Sequence, residues 1–193
     1  GEINITTDNL SLTEGAQINA NTSGQGDGGA INIQANDTIE ADGTNSGIFS
    51  QLEESSVGDA GGIEINTSNL FLMNGAEISV RSRGQGNAGD LDIQADSLYL
   101  ESGAALFAST STGTGGNIKL QVAEHIELRE NSLISAEAFG NADGGNLTID
   151  SRFIIAYPDG NNDIFANAEL GNGGNININA ESLLGIQERS LRN

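Results

Sequence analysis

The chain has 193 residues, 27 glycines, one proline and 27 acidic against seven basic side chains, for a net charge of −20. So acidic a chain repels phosphate backbones and anionic lipid, which excludes a nucleic-acid partner, and no apolar run approaches the roughly 18 residues that span a bilayer, so no membrane insertion is expected. The absence of cysteine removes disulfides, catalytic thiols and thiolate metal sites together.

The chain opens at residues 1–5 on a truncated copy of a unit that then recurs to its far end. Full copies read GGAINI (28–33), AGGIEI (60–65), AGDLDI (88–93), GGNIKL (115–120), GGNLTI (144–149) and GGNINI (173–178). Measured between Ile3, Ile31, Ile63, Leu91, Ile118, Leu147 and Ile176, the spacings are 28, 32, 28, 27, 29 and 29 residues. A period in this range is the mark of a solenoid or array.

Each period contains three stretches of apolar–polar alternation, the pattern of half-buried strands. The first is the pair after the glycines, continued by a small residue (Thr7, Ala35, Thr67, Ala95, Val122, Ser151, Ala180). The second is a Leu-x-Leu type pair, as in Leu70 and Leu72 or Leu98 and Leu100. The third follows an Asn/Gly turn, as in Ile18-Asn19-Ala20 and Ile78-Ser79-Val80. Three strands, each apolar on one side, describe a coil of a single-stranded parallel β-helix, a β-solenoid with about seven coils of roughly 29 residues. Residues 1–193 read as one such segment, and a start in the middle of a repeat is what a piece of a longer protein would show. One coil cannot bury its own apolar face, so stability accumulates from coil to coil. At about 4.8 Å per strand spacing, seven coils make a rod about 34 Å long.

The turns are punctuated in step. Asp27, Asp59, Asn87, Thr114, Asp143 and Asn172 stand four residues before each first apolar position, as a column of side chains that can hydrogen-bond local backbone or each other. The small pair that follows serves either an unusual φ or a close backbone approach. Residues 50–59 (SQLEESSVGD) lengthen one coil and read as a protruding loop, residues 157–160 (YPDG) read as a turn outside any ladder, and the polar stretch 187–193 reads as a frayed end or partial cap.

These repeats, GGxIxI, then LxL, then GAxIxAxTxGxG, resemble those of the filamentous-haemagglutinin-like large exoproteins exported by two-partner secretion in cyanobacteria and other Gram-negative bacteria. The clearest carriers are Gly15-Ala16-Gln17-Ile18 up to Gly28-Gly29, Gly75-Ala76-Glu77-Ile78, and residues 162–168 leading to Gly173-Gly174. The resemblance implies a right-handed β-helical shaft, secreted or on the outer cell surface, serving adhesion or surface structure. Its implied partners are other segments of the parent exoprotein, surface glycans or proteins and, for the parent, a two-partner transporter. No enzyme activity, cofactor or metal ion is expected.

The alternative is a carbohydrate-active parallel β-helix enzyme, lyase or hydrolase, or an acidic polysaccharide-binding module. Its best support is the outward first-strand column, in which Glu64, Asp92 and Lys119 stack on consecutive coils; a charge ladder on a solvated face accounts for them as well. The Asp27, Asp59 and Asp143 column is interrupted by Asn and Thr, which favours turn capping over calcium. His125 has no histidine partner and reads as a solvated or turn residue, and the run 109–112 (STST) forms no threonine column over successive coils.

More unusual are the outward positions of the third strand: Asn19, Phe49, Ser79, Phe107, Ser135 and Phe165. Phe49, Phe107 and Phe165 form a comb with shallow gaps at the serines. On the second strand Phe71, Tyr99, Ile155 and Leu184 add outward apolar surface, broken by Glu127. Phe49, Phe107, Phe165, Phe71 and Tyr99 are the candidate contact surface; the competing reading is that the protein's own loops cover the rings.

Overall fold

The computed structural model describes residues 1–187, and every regular element in that span is a β-strand. In chain order these are β1 (Glu2–Thr13), β2 (Gln17–Asn19), β3 (Ala30–Asp42), β4 (Gly47–Phe49), β5 (Ile63–Met73), β6 (Glu77–Ser79) and β7 (Leu91–Glu101). They continue as β8 (Ala105–Phe107), β9 (Ile118–Leu128), β10 (Leu133–Ser135), β11 (Leu147–Ala156), β12 (Asp163–Phe165) and β13 (Ile176–Leu184).

Long and short strands alternate and sort into two parallel sheets. The seven long ones stack as β1-β3-β5-β7-β9-β11-β13 and the six short ones as β2-β4-β6-β8-β10-β12. A third line of parallel bridges, Thr22–Leu52–Ser82–Thr110–Ala138–Ala168, closes the remaining side. The chain is thus a parallel β-solenoid of about six turns, with a pitch of 27 to 32 residues, as in Leu91↔Ile118 and Ile31↔Ile63. Most of residues 187–193, read as an end or cap, lie outside the described residues.

The first and second predicted strands of each coil run on as one long strand. Register shifts at Thr7/Asn9, Gln34/Thr38, Ala95/Ser97 and Ser151/Phe153 mark the join. A bulge there bends the strand without ending its ladder. Turns from long to short strand use paired left-handed residues, Glu14-Gly15, Asn74-Gly75, Ser102-Gly103 and Glu130-Asn131 among them.

The core is aliphatic. Ile31, Ile63, Leu91, Ile118 and Leu147 from the first stretch, Ile39, Leu70, Leu98, Ile126 and Ile154 from the second, and Ile48, Ile78, Leu106 and Ile134 from the short strands are all buried. None of the six phenylalanines or two tyrosines is. Within the strands, the alternation therefore carries every aromatic ring to the outer face.

The marker glycines have a specific reason. Their second position, Gly61, Gly89, Gly116, Gly145 and Gly174, packs so that an added β-carbon would strike the carbonyl oxygen of the matching glycine one coil back. Of the two explanations for the small pair, close backbone approach is the one realised there. Two side-chain ladders run beside it. Asp59 N–H donates to Asp27 Oδ1 (3.0 Å), Asn87 N–H to Asp59 Oδ1 (2.8 Å) and Thr114 N–H to Asn87 Oδ1 (2.9 Å), so the turn column caps the following coil. At the spacer position Asn117 N–H donates to Asp90 Oδ1, Asn146 N–H to Asn117 Oδ1 and Asn175 N–H to Asn146 Oδ1, at 2.8, 3.1 and 3.0 Å.

The segment 50–59 is not a protruding loop. Ser50, Gln51, Leu52 and Ser56 are buried, and Leu52 and Val57 bridge the coils on either side. The extra residues are taken up in a turn at Glu54 and Ser55, where Ser55 adopts φ 66. Leu52 is fully buried with its side chain beside Gly84, so burial pulls the segment into the stack.

Candidate contact surfaces

The phenylalanine column exists in the expected register: Phe49↔Ser79↔Phe107↔Ser135↔Phe165. Its gaps do not. Ser79 and Ser135 are buried, and the Gln51 amide reaches down to donate to Ser79 Oγ at 2.8 Å. The Arg81 guanidinium lies 3.5 Å from the centre of the Phe107 ring and 3.4 Å from Glu77. Gln51 and Arg81 both stand two residues beyond the column, where the chain turns toward the third side, and from there they fold back over it. Alternation along a strand shows which way a side chain leaves the backbone, but not what the next segment lays on top.

The second outward column is also in register, Glu40↔Phe71↔Tyr99↔Glu127↔Ile155↔Leu184. Phe71 and Tyr99 stack at 4.6 Å with planes 8° apart. Consecutive rungs of a parallel ladder lie about 4.8 Å apart, so stacking comes from the register itself. His125, inside β9 and half-buried, presents its ring edge to Tyr99 at 5.0 Å and bonds the Tyr99 hydroxyl through Nε2 at 2.7 Å. It is therefore not the solvated turn histidine expected from the sequence. Arg129 covers Tyr157 at 3.9 Å and Arg152 lies 5.2 Å from the Phe153 ring. Desolvation lowers the Arg81 pKa, whereas the contact with Tyr157 raises that of Arg129.

Most ring faces are thus occupied from within. Phe49, Phe139 and Phe165 alone make no ring or cation contact among the described residues. Phe139, 47% exposed, was missed in the sequence because it follows the third strand. It shares a groove of about 370 Å³ with Phe107, Arg81, Arg83, Ser109 and Glu137. Burial, then the Glu169 charge, pushes the Glu137 carboxyl pKa up.

The first-strand column runs Asn4↔Asn32↔Glu64↔Asp92↔Lys119↔Thr148↔Asn177. Lys119 Nζ pairs with Asp92 Oδ2 at 3.4 Å on an exposed face, while Asp92 Oδ1 is buried without a partner. Among the described residues no three His, Asp or Glu side chains are placed to hold a metal ion.

Two residues further along lies Thr6-Gln34-Asn66-Gln94-Gln121-Asp150, again rung on rung. Where the long strands bend, a groove of about 400 Å³ is lined by Asn66, Gln94, Gln121, Asp150 and Arg152. A second groove, of about 280 Å³, continues it past Asn66 to Gln34 and Thr6. The residue after each first-strand pair (Ile-x-Ile, Leu-x-Ile or Ile-x-Leu) stands in a column in the sequence, but polar side chains on a solvated face gave no reason to single it out. Comparison with protein-family models, curated proteins and solved structures gives no match.

Proposed function

We propose that the chain is a structural and adhesive shaft, one stretch of a secreted or surface-exposed filamentous exoprotein of a Gram-negative bacterium, similar to the filamentous-haemagglutinin-like type. Its partners are other segments of the parent protein, surface glycans or proteins, and a two-partner transporter that exports the parent. The observation that carries this reading is axial continuity. Each coil supplies the next with carbonyl and Asp or Asn oxygens in the same places, as in the Asp90-Asn117-Asn146-Asn175 ladder, so the stack extends without a change of plan. Outward positions repeat in straight columns, which multiplies weak contacts along the rod. The test is retention of beads coated with the purified chain on glycan- and protein-covered surfaces; retention no greater than with uncoated beads would refute adhesion.

A second reading, a carbohydrate-active enzyme, rests on one observation. Asp92 Oδ1 is buried and unpartnered beside Glu64 and Lys119, an arrangement suited to proton transfer. Release of new chain ends from neutral or acidic polysaccharides, abolished by Asp92→Asn, would establish it.

A further inference from the structure

We propose that the amide column Gln34, Asn66, Gln94 and Gln121 is a binding groove for a neutral, extended, β-linked polysaccharide lying along the solenoid axis. This rests on the adhesive reading above and names its ligand class. Four features of the groove point there.

The first is unspent hydrogen-bonding capacity. None of the four side-chain amides has a hydrogen-bond partner among the described residues, although neighbouring polar columns are paired, as in Asn32 Nδ2 to Asn4 Oδ1 and Asn117 Nδ2 to Asp90 Oδ1. Each amide offers a donor and an acceptor, the complement of a vicinal diol.

The second is shape. The lining comes from successive rungs of the long sheet, and the two groove segments meet at Asn66, so the depression follows the axis. Only a straight, thin polymer lies in it over several rungs.

The third is repeat. The amides recur at the strand spacing, about 4.8 Å. An extended β-linked pyranose chain advances by slightly more than that distance per sugar and turns over at each linkage, so each rung faces about one sugar and every second amide meets the same edge of the chain.

The fourth is charge. Asp96, Asp150 and Glu64 stand on the walls, and the cation present, Arg152, is held by Glu181 (3.1 Å) and Glu124 (3.8 Å). With a net charge of −20, an anionic glycan is repelled. The groove lining contains no aromatic ring, so affinity comes from hydrogen bonds summed over several sugars and grows with chain length.

The experiment measures binding of the intact chain to cellobiose, cellohexaose, soluble hydroxyethylcellulose and polygalacturonate by calorimetry. It compares wild type, the double variant Gln94→Ala/Gln121→Ala, and Phe139→Ser on the other groove. The expected result is binding of cellohexaose and hydroxyethylcellulose, much weaker binding of cellobiose and none of polygalacturonate. The double variant should bind about tenfold or more weakly, the loss of a few hydrogen bonds, with unchanged melting temperature, and Phe139→Ser should bind as wild type. Equal binding by the double variant overturns the groove assignment and leaves adhesion standing. Failure of wild type to bind any neutral glucan, while coated beads still adhere, overturns the ligand class alone. Failure of both removes the adhesive reading with it.

Discussion

The carbonyl oxygen of Gly89 occupies the space that a β-carbon on Gly116 would need. The same contact recurs between Gly116 and Gly145 and between Gly145 and Gly174, so the second glycine of the marker is a steric requirement of stacking coils. The obstacle is backbone and cannot rotate away. Gly116→Ala should therefore cost about 2–4 kcal/mol, beyond ordinary overpacking. Gly173→Ala, at the first marker position, meets nothing closer than 3.3 Å and should cost less than about 1 kcal/mol. Urea melts of the two variants compare them; equal losses would contradict the stacking account.

Inward and outward positions should separate sharply in the middle of the rod. Ile118 is fully buried between Leu91 and Leu147, so Ile118→Ala should lose about 2–4 kcal/mol, and Ile118→Asp more, since a charge is stranded there. Lys119→Ala removes an exposed pair with Asp92 and should cost under about 1 kcal/mol. Similar melting losses for Ile118→Ala and Lys119→Ala would show the register to be wrong.

This in/out register was legible from period-2 alternation, and so were the coil length and the phenylalanine column. The covering of that column was not, because Gln51 and Arg81 reach it from a segment whose own path has no strong pattern. Residues 50–59 looked like a loop because they lengthen the repeat, yet the buried Leu52 stays in line with Ser82 and Thr110. The pairing of His125 with Tyr99 was hidden by a diagonal offset, since the direct neighbour of His125 is Ser97.

Phe107 and Arg81 should behave as a coupled pair. Phe107→Ala removes a half-buried ring and the seat of a guanidinium, and should cost about 1–3 kcal/mol. A double-mutant cycle with Arg81→Ala should return a coupling of about 0.5–2 kcal/mol. Changing Phe49, Phe107 and Phe165 together to Ser should then lower stability measurably; a triple variant that melts like wild type but adheres poorly would restore the comb as an open contact surface.

Glu137 provides a pH signature. Burial, followed by the charge of Glu169, holds its carboxyl above the ordinary 4.5. A pKa raised on folding contributes stability that is full below the unfolded value and is lost as pH rises through the folded one. At neutral pH the ionised group is therefore a liability, and Glu137→Gln should raise the melting temperature. That gain should shrink as pH falls through the raised folded value and be gone below about 4.5. A gain that does not change with pH would rule out the carboxylate as its cause.

The adhesive shaft is tested most directly by one incubation of the purified chain, immobilised on beads, with soluble and surface-bound polysaccharides, scoring retention and new chain ends in the same sample. The account predicts retention with no new chain ends, and the same null turnover in Asp92→Asn. Steady release of chain ends by wild type, lost in Asp92→Asn while melting is unchanged, would contradict it and make Asp92 the centre of an enzyme.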